Sequence, residues 1–554
     1  MSDELVFVPL GGLGEIGMNL ALYGYGPARK RRWIMVDCGM GFADPVRMPG
    51  IDLMVADTSF IEEERGSLEA IVLTHAHEDH FGALPDLWPR FKVPVYATPF
   101  TAALLEAKTA GDRGLRDVPV ETIPLGGSFE AGPFKVEFVT VAHSIPEPNA
   151  LAITTPLGTI VHSGDWKIDP DPVIGGPMDE SRFRALGENG CRALICDSTN
   201  AMRDGVSPSE AEVAVTLKEL IGKARNRVAV TCFASNLARI RSVAQAAKAA
   251  DRNVVLVGRA MQRVVSVGRE LGMLDGLPPF LDDSQFGYLP RDKVVLLCTG
   301  SQGEPRAAMT RIAFGNHPTI DLDKNDTVIY SARQIPGNEK AVGTVLNALV
   351  REGIEVLDDR AGLVHVSGHP RRGELVQLFD WLKPEVMVPA HGEAMHMAAN
   401  AELARASGIK KVVSGFNGDM IRLAPGPAEK IDEVRAGRRL KDGMVMVEDE
   451  NEALRERRKL AFAGLVSIAF GLDSSGSIGD DIEVELAGVP ESGVDNVDIA
   501  ELVLDTVEET VGNLPRARRK RISEVRESVR RAVRRQVEIH WGKKPRVQVF
   551  VIEL

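Results

Sequence analysis

The stretch from Thr74 to His80 constrains this chain more than any other feature, and it reads Thr-His-Ala-His-Glu-Asp-His. It follows an apolar strand and opens a helix at Phe81–Leu84. Three imidazoles and one free carboxylate within six residues supply metal ligands that face different directions across a turn from strand to helix. We therefore expect a fold in which this strand ends at a metal centre, and the number of ligands favours two ions over one.

Further candidate ligands follow other apolar strands of the chain, at His143, Asp165 and His391. A lone histidine or aspartate at a strand end is more often a capping or hydrogen-bonding residue, so each position by itself is weak support. Taken together, these residues complete two sites. The predicted ligands are His75, His77 and His143 for one ion, Asp79, His80 and His391 for the other, and Asp165 as the bridge between them.

The pattern of apolar and polar residues along the sequence divides the chain into domains. Short β-runs dominate the first ~200 residues, and from Ser207 helices and strands alternate, which is typical of a parallel α/β unit. From about residue 355 the sequence is again rich in histidine, and the Pro/Gly-rich stretch Ala424–Pro427 marks a linker. We expect one metal-binding domain in two parts, 1–206 and 353–424, an inserted domain, 207–352, a linker, 425–446, and a small α+β domain, 447–554.

The chain has 554 residues and a formal net charge of −12, which argues against a protein that coats nucleic acid through bulk positive charge. Its start has no basic leader, and no apolar stretch approaches the ~18 residues of a membrane span. We therefore expect a cytoplasmic protein without a membrane partner. The five cysteines form no Cys-x-x-Cys pair and lie mostly in apolar runs, so we expect reduced core residues.

One segment is strongly basic: 516–535 holds ten Lys and Arg residues against Glu524 and Glu527, a local balance of +8 that leaves −20 for the rest of the chain. Its apolar residues recur every three or four positions, so one helical face is apolar and the others are basic. The segment predicts an amphipathic helix packed against the acidic helix at 498–510. A face that contacts RNA or forms an oligomer is the alternative.

The stretch from Gly12 to Gly17 spells Gly-x-Gly-x-x-Gly, the pattern that cradles a dinucleotide. The residues that follow it, Met18–Gly26, read as a strand that ends in a glycine turn, whereas the nucleotide-binding pattern requires a helix there. We therefore predict a tight corner between two strands near the metal site, and we rank nucleotide binding well behind it.

The motif at 75–80 resembles that of the metallo-β-lactamase superfamily at every required position. The insertion before His391 resembles the β-CASP subgroup, whose further motifs match Asp197–Asn200, His365–His369 and Pro389–Glu393. With Ser331–Glu339 and the tail domain, the whole chain is most similar to the bacterial ribonuclease J family. The implied fold class is α/β: a metallo-β-lactamase αββα sandwich with an inserted parallel-sheet β-CASP domain and a small α+β C-terminal domain.

The resemblance implies a dinuclear-metal ribonuclease that degrades RNA 5′→3′ from a 5′-monophosphate end in RNA decay and maturation, and it allows endonucleolytic cuts. Two divalent cations neutralise the transition-state charge of a phosphodiester and activate water. Zinc is favoured by the histidines, and manganese suits the carboxylates. The alternatives are a DNA-processing β-CASP nuclease and a catalytically silent scaffold of an RNA-degradation complex. A small-molecule lactonase or thioesterase is disfavoured, because the insertion and the tail would have no role there.

The resemblance also implies roles for individual residues. Asp79, Asp197 and His369 are the expected catalytic residues, with His369 stabilising charge or protonating the departing oxygen. The expected substrate-binding residues are His365, Val366, Ser367, Gly368, His369 and Ser331. The expected partner is single-stranded RNA with a 5′-monophosphate, which Phe42 is predicted to stack against.

Some implied features lie away from the catalytic motifs. The resemblance allows a structural cation near Gly50–Asp52 and Asp442, a homodimer or homotetramer built with the tail domain, and partners from an RNA-degradation complex. The chain also departs from the family pattern at two places: Met202 follows Ala201 where relatives tend to have an acid, and Ala332-Arg333 replaces a small hydroxyl residue. These departures bear on the phosphate pocket and leave the seven metal positions intact.

Overall fold

A computed structural model of the chain describes residues 2–44, 47–51, 53–110, 117–335 and 337–554. The chain divides into two compact units. The first comprises Met1–Gly41 and Val55–Arg438, and the second comprises Phe42–Met54 and Arg439–Leu554. Each unit is described by itself below.

The strands before residue 207 are β1 (Glu4–Gly11), β2 (Leu13–Gly14), β3 (Leu20–Gly26), β4 (Arg32–Val36), β5 (Met40–Phe42), β6 (Leu53–Ala56), β7 (Leu68–Val72), β8 (Val95–Ala97), β9 (Val120–Thr122), β10 (Ser128–Ala131), β11 (Phe134–Thr140), β12 (Asn149–Thr155), β13 (Gly158–His162) and β14 (Cys191–Asp197). The helices of this part are α1 (Ser59–Glu63), α2 (Glu78–Phe81), α3 (Leu84–Phe91), α4 (Pro99–Ala110) and α5 (Glu180–Glu188).

From residue 207 to 357 the strands are β15 (Val228–Thr231), β16 (Asn253–Val257), β17 (Val294–Cys298), β18 (Thr327–Tyr330) and β19 (Glu355–Leu357). The helices between them are α6 (Glu210–Lys223), α7 (Leu237–Ala249), α8 (Arg259–Glu270), α9 (Ala308–Ala313) and α10 (Glu339–Arg351).

After residue 357 the strands are β20 (Val386–Ala390), β21 (Gly392–Glu393), β22 (Lys411–Val412), β23 (Asp419–Ala424), β24 (Glu429–Glu433), β25 (Arg438–Asp442), β26 (Val445–Glu448), β27 (Leu465–Leu472), β28 (Ile478–Ala487) and β29 (Arg546–Glu553). The helices are α11 (Arg372–Leu382), α12 (Ala394–Ala406), α13 (Glu452–Ala463), α14 (Ile499–Asn513), α15 (Arg516–Arg519) and α16 (Ile522–Trp541). Short 3₁₀ turns occupy Arg65–Ser67, Asp283–Tyr288, Arg291–Lys293 and Val494–Asn496.

Two sheets pack face to face in the first unit. One has the strand order β24-β23-β1-β3-β4-β7-β8-β9 and the other β10-β11-β12-β13-β14-β20-β22. Their inner faces share one apolar core, to which Phe7 and Val36 contribute from the first sheet and Phe138 and Ile195 from the second. A second core lies between the seven-stranded sheet and helices α5, α11 and α12. This layering confirms the predicted metallo-β-lactamase sandwich.

The inserted segment forms its own sheet, in the order β16-β17-β15-β18-β19, and all its recorded strand pairs are parallel. The predicted alternation of helices and strands is therefore confirmed. The insertion leaves the sandwich after β14 and returns before β20, and these two strands are parallel neighbours with Asp197 opposite Ala390. Nearly two hundred residues of chain thus separate two strand ends that lie side by side.

The glycine-rich stretch at 12–17 forms the predicted corner between strands. Strand β1 ends at Gly11 and β3 begins at Leu20, with no helix after the glycines. Gly12, Gly14 and Gly17 have φ angles of 87°, 82° and 100°, which favour glycine. The corner reaches the metal site, because Asn19 donates hydrogen bonds to the Asp79 carbonyl and carboxylate.

The second unit contains a three-stranded sheet, β28-β27-β29, covered by α14 and α16. Val525, Val529, Val533 and Val537 of α16 are fully buried in a core that they share with α14. The packed amphipathic helix is confirmed, although the basic segment 516–535 is divided between two helices, α15 and α16. Arg521 adopts φ −110° and ψ 95°, which separates α15 from α16.

Two other boundaries differ from the sequence prediction. The apolar run Leu460–Leu472 predicts a strand, and this prediction is wrong in its first four residues, which end helix α13 before Gly464 turns the chain at φ 66°. The segment predicted as a linker, 425–446, contains paired strands: β24 is antiparallel to β23, and β25 is antiparallel to β26.

The five cysteines are all buried and none forms a disulfide, as predicted. Cys38 lies in the sandwich, and Cys232 and Cys298 lie in the inserted domain. Within the part of the chain that the structure describes, we find no helix long and apolar enough to cross a membrane.

Candidate metal centre

The seven predicted ligands come together at one edge of the sandwich, where several strands end. The Thr74–His80 turn follows β7, His143 follows β11, Asp165 follows β13, and His391 follows β20. Strands β13, β14 and β20 are parallel neighbours, so their carboxyl ends meet at the same edge of the sheet. This topology explains how ligands more than three hundred residues apart in the chain reach one place.

The first group of side chains consists of His75, His77, His143 and Asp165. His77 Nδ1 lies 3.1 Å from His75 Nε2 and 3.0 Å from His143 Nε2. One ring hydrogen can satisfy only one of these two contacts, so the three nitrogens do not form a complete hydrogen-bond set. Their separations are close to the ~3.3 Å edge of a tetrahedron with metal–nitrogen bonds of about 2.0 Å. The arrangement therefore fits a divalent cation.

The second group consists of Asp79, His80, Asp165 and His391. His80 Nε2 lies 3.3 Å from Asp165 Oδ2 and 3.6 Å from Asp79 Oδ2. His391 Nδ1 and Asp165 Oδ1 are 3.0 Å apart, yet both atoms are buried and neither forms a hydrogen bond of acceptable geometry. Buried polar atoms normally have a hydrogen-bond partner. Two that lie close together without forming a hydrogen bond are arranged as ligands of a common cation would be.

Asp165 belongs to both groups, and the ligand atoms within each group lie within 4.8 Å of one another. Its side chain is 2% exposed. Two sets of imidazole and carboxylate donors that share one carboxylate suit divalent transition metals, including zinc and manganese.

The electrostatics differ between the two groups. Burial lowers the pKa of His143 to about 4, and burial with neighbouring histidines holds the pKa values of His75 and His77 well below the ordinary range. These imidazoles are neutral near pH 7, the form that binds metal. Burial also opposes the charge on His391, but Asp165 outweighs it and raises the pKa of His391 to about 9. Without a cation, protons balance the carboxylates of the second group.

Asp197 and His369 form a pair beside these ligands. Asp197 Oδ2 lies 2.8 Å from His369 Nδ1, and its Oδ1 accepts a hydrogen bond of 2.8 Å from the backbone N–H of Thr199. Burial would lower the pKa of His369, but the Asp197 and Asp165 carboxylates outweigh it and raise that pKa. Asp197 therefore caps the following turn, orients the His369 imidazole and favours its protonated form.

The predicted substrate loop, His365–His369, is tied to the ligands through Gly368. The Gly368 carbonyl accepts a 2.7 Å hydrogen bond from His143 Nδ1, which leaves His143 Nε2 for the metal group. A Cβ at position 368 would lie 2.3 Å from His143 Nδ1, so only glycine allows this approach. Ser367 Oγ accepts hydrogen bonds from Asn200 Nδ2 and from the His369 N–H.

The other predicted substrate-binding residues have different surroundings. Val366 is buried in the protein. The His365 Nδ1 atom is buried without a hydrogen-bond partner, and burial together with Arg239 and Arg333 holds the pKa of His365 well below its ordinary value. A neutral imidazole with a free ring nitrogen is therefore present in this loop.

The prediction that Ser331 binds substrate is not supported by its position. Ser331 is 1% exposed, its hydroxyl donates to the Val364 carbonyl at 2.7 Å, and it accepts a hydrogen bond from Arg239. The hydroxyl is therefore committed to contacts inside the protein. The nearby Arg333 reaches Asn200 Oδ1 with its guanidinium at 2.9 Å, and its pKa is lowered to about 10 by burial and by Arg203 and Arg371.

Two residues of the centre were missed by the sequence analysis. Asp37 is buried, accepts a 2.7 Å hydrogen bond from the Thr74 N–H, and holds His80 Nδ1 at 2.7 Å from its Oδ2. This contact directs His80 Nε2 to the metal group. Asn19 places its amide 3.1 Å from His80 Nε2 and 3.3 Å from Asp79 Oδ2. Asp37 follows the apolar strand β4, so the strand-end rule that found Asp165 also points to it.

The sites implied for the second unit are only partly described. Asp52 lies outside the described residues. Asp442, the other carboxylate of the implied structural cation site, accepts a 2.7 Å hydrogen bond from Arg457. Phe42, predicted to stack on bases, is 71% exposed.

The sandwich, the parallel-sheet insertion and the shared His/Asp centre define a metallohydrolase of the β-lactamase superfamily. Family models match the chain as a beta-lactamase superfamily domain at 32–183, a ribonuclease J beta-CASP domain at 225–349, a Zn-dependent metallo-hydrolase RNA specificity domain at 353–414 and a ribonuclease J C-terminal domain at 452–554. The chain belongs to the ribonuclease J family of metal-dependent ribonucleases.

Individual relatives agree with this assignment. Ribonuclease J of Sinorhizobium meliloti is 52% identical over 552 residues, covering 100% of this chain and 98% of the relative. Ribonuclease J of Thermus thermophilus is 34% identical, covering 100% and 96%. The crystal structure of a protein of unknown function from Enterococcus faecalis aligns with a TM-score of 0.52 at 16% identity, covering 76% of this chain and 100% of that one, and shows similarity of fold.

Proposed function

We propose that this chain is a dinuclear-metal ribonuclease that degrades single-stranded RNA 5′→3′ from 5′-monophosphate ends, with endonucleolytic cleavage as a second activity, in RNA decay and maturation. The observation that carries the proposal is the contact between the Gly368 carbonyl and His143 Nδ1. It joins the predicted substrate loop directly to a group of metal ligands, so a phosphate bound at the loop lies next to the metal centre.

His75, His77 and His143 would hold one cation, Asp79, His80 and His391 the other, and Asp165 both. When bound, two such cations neutralise charge on the phosphodiester and lower the pKa of water enough to supply hydroxide near pH 7. Zinc is favoured by the five histidines of this set, and manganese remains compatible with the carboxylates. A structural cation at Asp442 is proposed from the family resemblance alone.

His369 is the proposed group that stabilises charge or donates a proton to the departing oxygen. Its Nδ1 is held by Asp197, so Nε2 is the nitrogen left for substrate. The Asp197 and Asp165 carboxylates outweigh the effect of burial and raise the pKa of His369, which favours the protonated ring that a proton donor needs. Asp197 is then a positioning residue, and Asp79 acts as a metal ligand at the reacting centre.

The preference for a 5′-monophosphate is supported by charge near the loop. Among the residues that the structure describes, the Arg333 guanidinium has no acidic partner, and it reaches the amide oxygen of Asn200. Asn200 in turn donates to Ser367 Oγ at 2.9 Å. An arginine with spare donors beside a loop of small residues suits a terminal phosphate.

Several broader assignments accompany the enzymatic proposal. We assign the sandwich to 1–206 and 353–424, the β-CASP domain to 207–352, the C-terminal domain to 447–554, and the connection between the sandwich and the C-terminal domain to 425–446, which contains the paired strands described above. A homodimer or homotetramer, partners from an RNA-degradation complex and a cytoplasmic location complete the proposal. Deletion of 447–554 followed by light scattering tests the role of the tail domain in assembly.

The deciding experiment uses one single-stranded RNA labelled at its 3′ end and prepared with a 5′-monophosphate, a 5′-triphosphate or a 5′-hydroxyl, with zinc or manganese present. We expect progressive shortening from the 5′ end, fastest for the monophosphate. The variants Asp79→Ala and His80→Ala abolish it, and the surface variant Glu130→Gln does not. Hydrolysis of matched single-stranded DNA in preference to RNA would favour the DNA-processing alternative, and no hydrolysis at all would favour a scaffold.

A further inference from the structure

Arg239 of helix α7 is 0% exposed, although it is a charged residue of the inserted domain. Its Nε and Nη2 atoms donate to Glu210 Oε1 and Oε2 at 2.6 and 3.0 Å. Its Nη1 donates to the carbonyls of Ser331 and Val364, both at 3.0 Å, and to the Ser331 hydroxyl at 2.5 Å. Every nitrogen of the guanidinium is therefore bonded, and the contacts reach three separate segments, at Glu210, Ser331 and Val364.

Burying an ion pair of this kind is costly in solvation, and apolar residues of similar volume often stabilise a protein as well or better. Stability alone is thus a weak reason for an arginine at this position. The geometry offers a more specific one, because the planar fork binds the Glu210 carboxylate on one side while Nη1 fixes backbone carbonyls on the other.

One of those carbonyls belongs to Val364, the residue immediately before the His365–His369 loop. The Val364 carbonyl receives two donors, Arg239 Nη1 at 3.0 Å and Ser331 Oγ at 2.7 Å. The other end of the loop is held by His143 through the Gly368 carbonyl at 2.7 Å. The loop is therefore fastened at one end to the metal ligands and at the other end to Arg239.

The contacts of Glu210 continue toward the metal centre. Its backbone N–H donates to Asp169 Oδ2 at 3.0 Å, and Asp169 Oδ2 also pairs with Lys167 Nζ at 2.7 Å. The backbone N–H of Lys167 donates to the Ala142 carbonyl at 2.7 Å. Lys167 lies two residues after Asp165, and Ala142 immediately precedes His143. A continuous set of buried contacts thus joins the start of the substrate loop to the segments that carry two metal ligands.

We propose that Arg239 is a positioning residue that sets the distance between the His365–His369 loop and the metal centre. The proposal rests on the proposed function, in which this loop binds RNA. A displacement of about 1 Å of a substrate-positioning group is enough to cost up to ~100-fold in rate. Lysine at position 239 keeps the positive charge. Its single compact ammonium group lacks the planar fork of the guanidinium, so it cannot bond Glu210 and the Val364 carbonyl at the same time.

The test compares Arg239→Lys with the matched variant Arg252→Lys in the full-length protein loaded with metal. Arg252 is also buried in the inserted domain and donates to the carbonyls of Asn226 and Ala224, without a recorded contact to the loop. Steady-state kinetics use single-stranded 5′-monophosphorylated RNA, and bound metal and thermal unfolding are measured on the same samples. We expect Arg239→Lys to raise KM at least about tenfold, with unchanged metal content, and Arg252→Lys to stay within about twofold of the unmutated protein.

A double-mutant comparison with His365→Ala separates positioning from general loss of structure. If Arg239 acts through the loop, its replacement adds little to the KM of a protein that already lacks the His365 ring. Full additivity of the two changes, or equal losses in Arg239→Lys and Arg252→Lys, would overturn the proposal. So would an unchanged KM in Arg239→Lys.

Where Arg239→Lys does not fold, Ser331→Ala takes its place, because it removes the other donor to the Val364 carbonyl. A rise in KM that is lost in the His365→Ala background supports the proposal, and an unchanged KM contradicts it. Absence of RNA hydrolysis by the unmutated protein is a different result, which would refute the proposed function itself.

Discussion

Asp197 Oδ2 and His369 Nδ1 lie 2.8 Å apart, although 172 residues separate them in the chain. The whole inserted domain lies between these two positions. The pair therefore joins the point where the chain leaves the sandwich, at the end of β14, to the segment by which it returns after the insertion.

This relationship gives a test of whether Asp197 positions His369 or binds metal. Asp197, Asp165 and His369 also lie close enough to form a third potential ligand group. We expect Asp197→Asn to lower kcat by roughly 10²–10⁴-fold, because the histidine loses the carboxylate that orients it and stabilises its protonated form. Metal content measured by mass spectrometry should stay unchanged. Loss of an ion in this variant would make Asp197 a ligand.

Because Asp165 belongs to both groups of candidate ligands, replacing it should remove more bound metal than replacing a ligand of only one group. Asp165→Ala should leave fewer than about one tightly bound ion per chain, because both groups lose the same carboxylate. His77→Ala removes a ligand of only one group and should retain about one ion. Elemental analysis after dialysis against a weak chelator measures both variants. Equal metal content in the two variants would contradict a bridging carboxylate.

Gly368 predicts a steric effect that a control glycine lacks. A Cβ at position 368 would lie 2.3 Å from His143 Nδ1, whereas a Cβ at Gly343 in α10 meets nothing within 4 Å. We expect Gly368→Ala to lower metal affinity by roughly 10–100-fold, since it displaces the partner that orients His143. Gly343→Ala should raise helix stability by about 0.5–1 kcal/mol and leave metal binding intact. Calorimetric titration of the metal-free variants distinguishes them.

His162 predicts a dependence of stability on pH. Its Nδ1 lies 2.8 Å from the Tyr23 hydroxyl, and burial lowers its pKa to about 4. Asp37 and Asp165 oppose this shift, while His80 and His391 add to it. Because the unfolded chain binds the proton near pH 6.5, the stabilising contribution is complete above that pH and is lost as the pH falls toward 4. The loss amounts to about 3 kcal/mol.

The variant His162→Asn retains a hydrogen-bond acceptor for Tyr23 and does not titrate. Comparing it with the unmutated protein cancels acid effects that both share, including release of metal. The unfolding temperature of the unmutated protein should therefore fall more steeply between pH 6.5 and 4.5. Parallel pH profiles for the two proteins would show that His162 does not titrate as its surroundings indicate.

The grouping of the candidate metal ligands could be predicted from the sequence because their residue types are rare and each follows an apolar strand. Histidine and aspartate at strand ends have few alternative explanations when several occur together with the Thr74–His80 stretch. Asp37 also follows an apolar strand, but a single aspartate away from the histidine-rich stretch is a weak signal, and Asn19 carries no strand-end signal. Their roles depend on contacts across the sheet that no local pattern contains.

Other details depended on packing between distant segments. Ser331 has the polar side chain expected of a phosphate site, but Arg239 and the Val364 carbonyl draw its hydroxyl inward. The apolar run across Gly464 fits a helix and a strand equally well, and its short length does not show where one ends. The sequence pattern also does not predict helix α4, whose buried face includes Phe100, Leu104 and Leu105.

The five buried cysteines have a practical consequence. Burial raises the pKa of Cys191 and of Cys232 to about 12, and it raises the pKa values of Cys38, Cys196 and Cys298 as well. A thiol that is both enclosed and protonated does not react with alkylating reagents until its surroundings open. The molecule therefore carries built-in reporters of local opening, with Cys38 reporting on the sandwich and Cys232 and Cys298 on the insertion. A single cysteine added at the surface would be the one site labelled with a fluorophore in the folded protein.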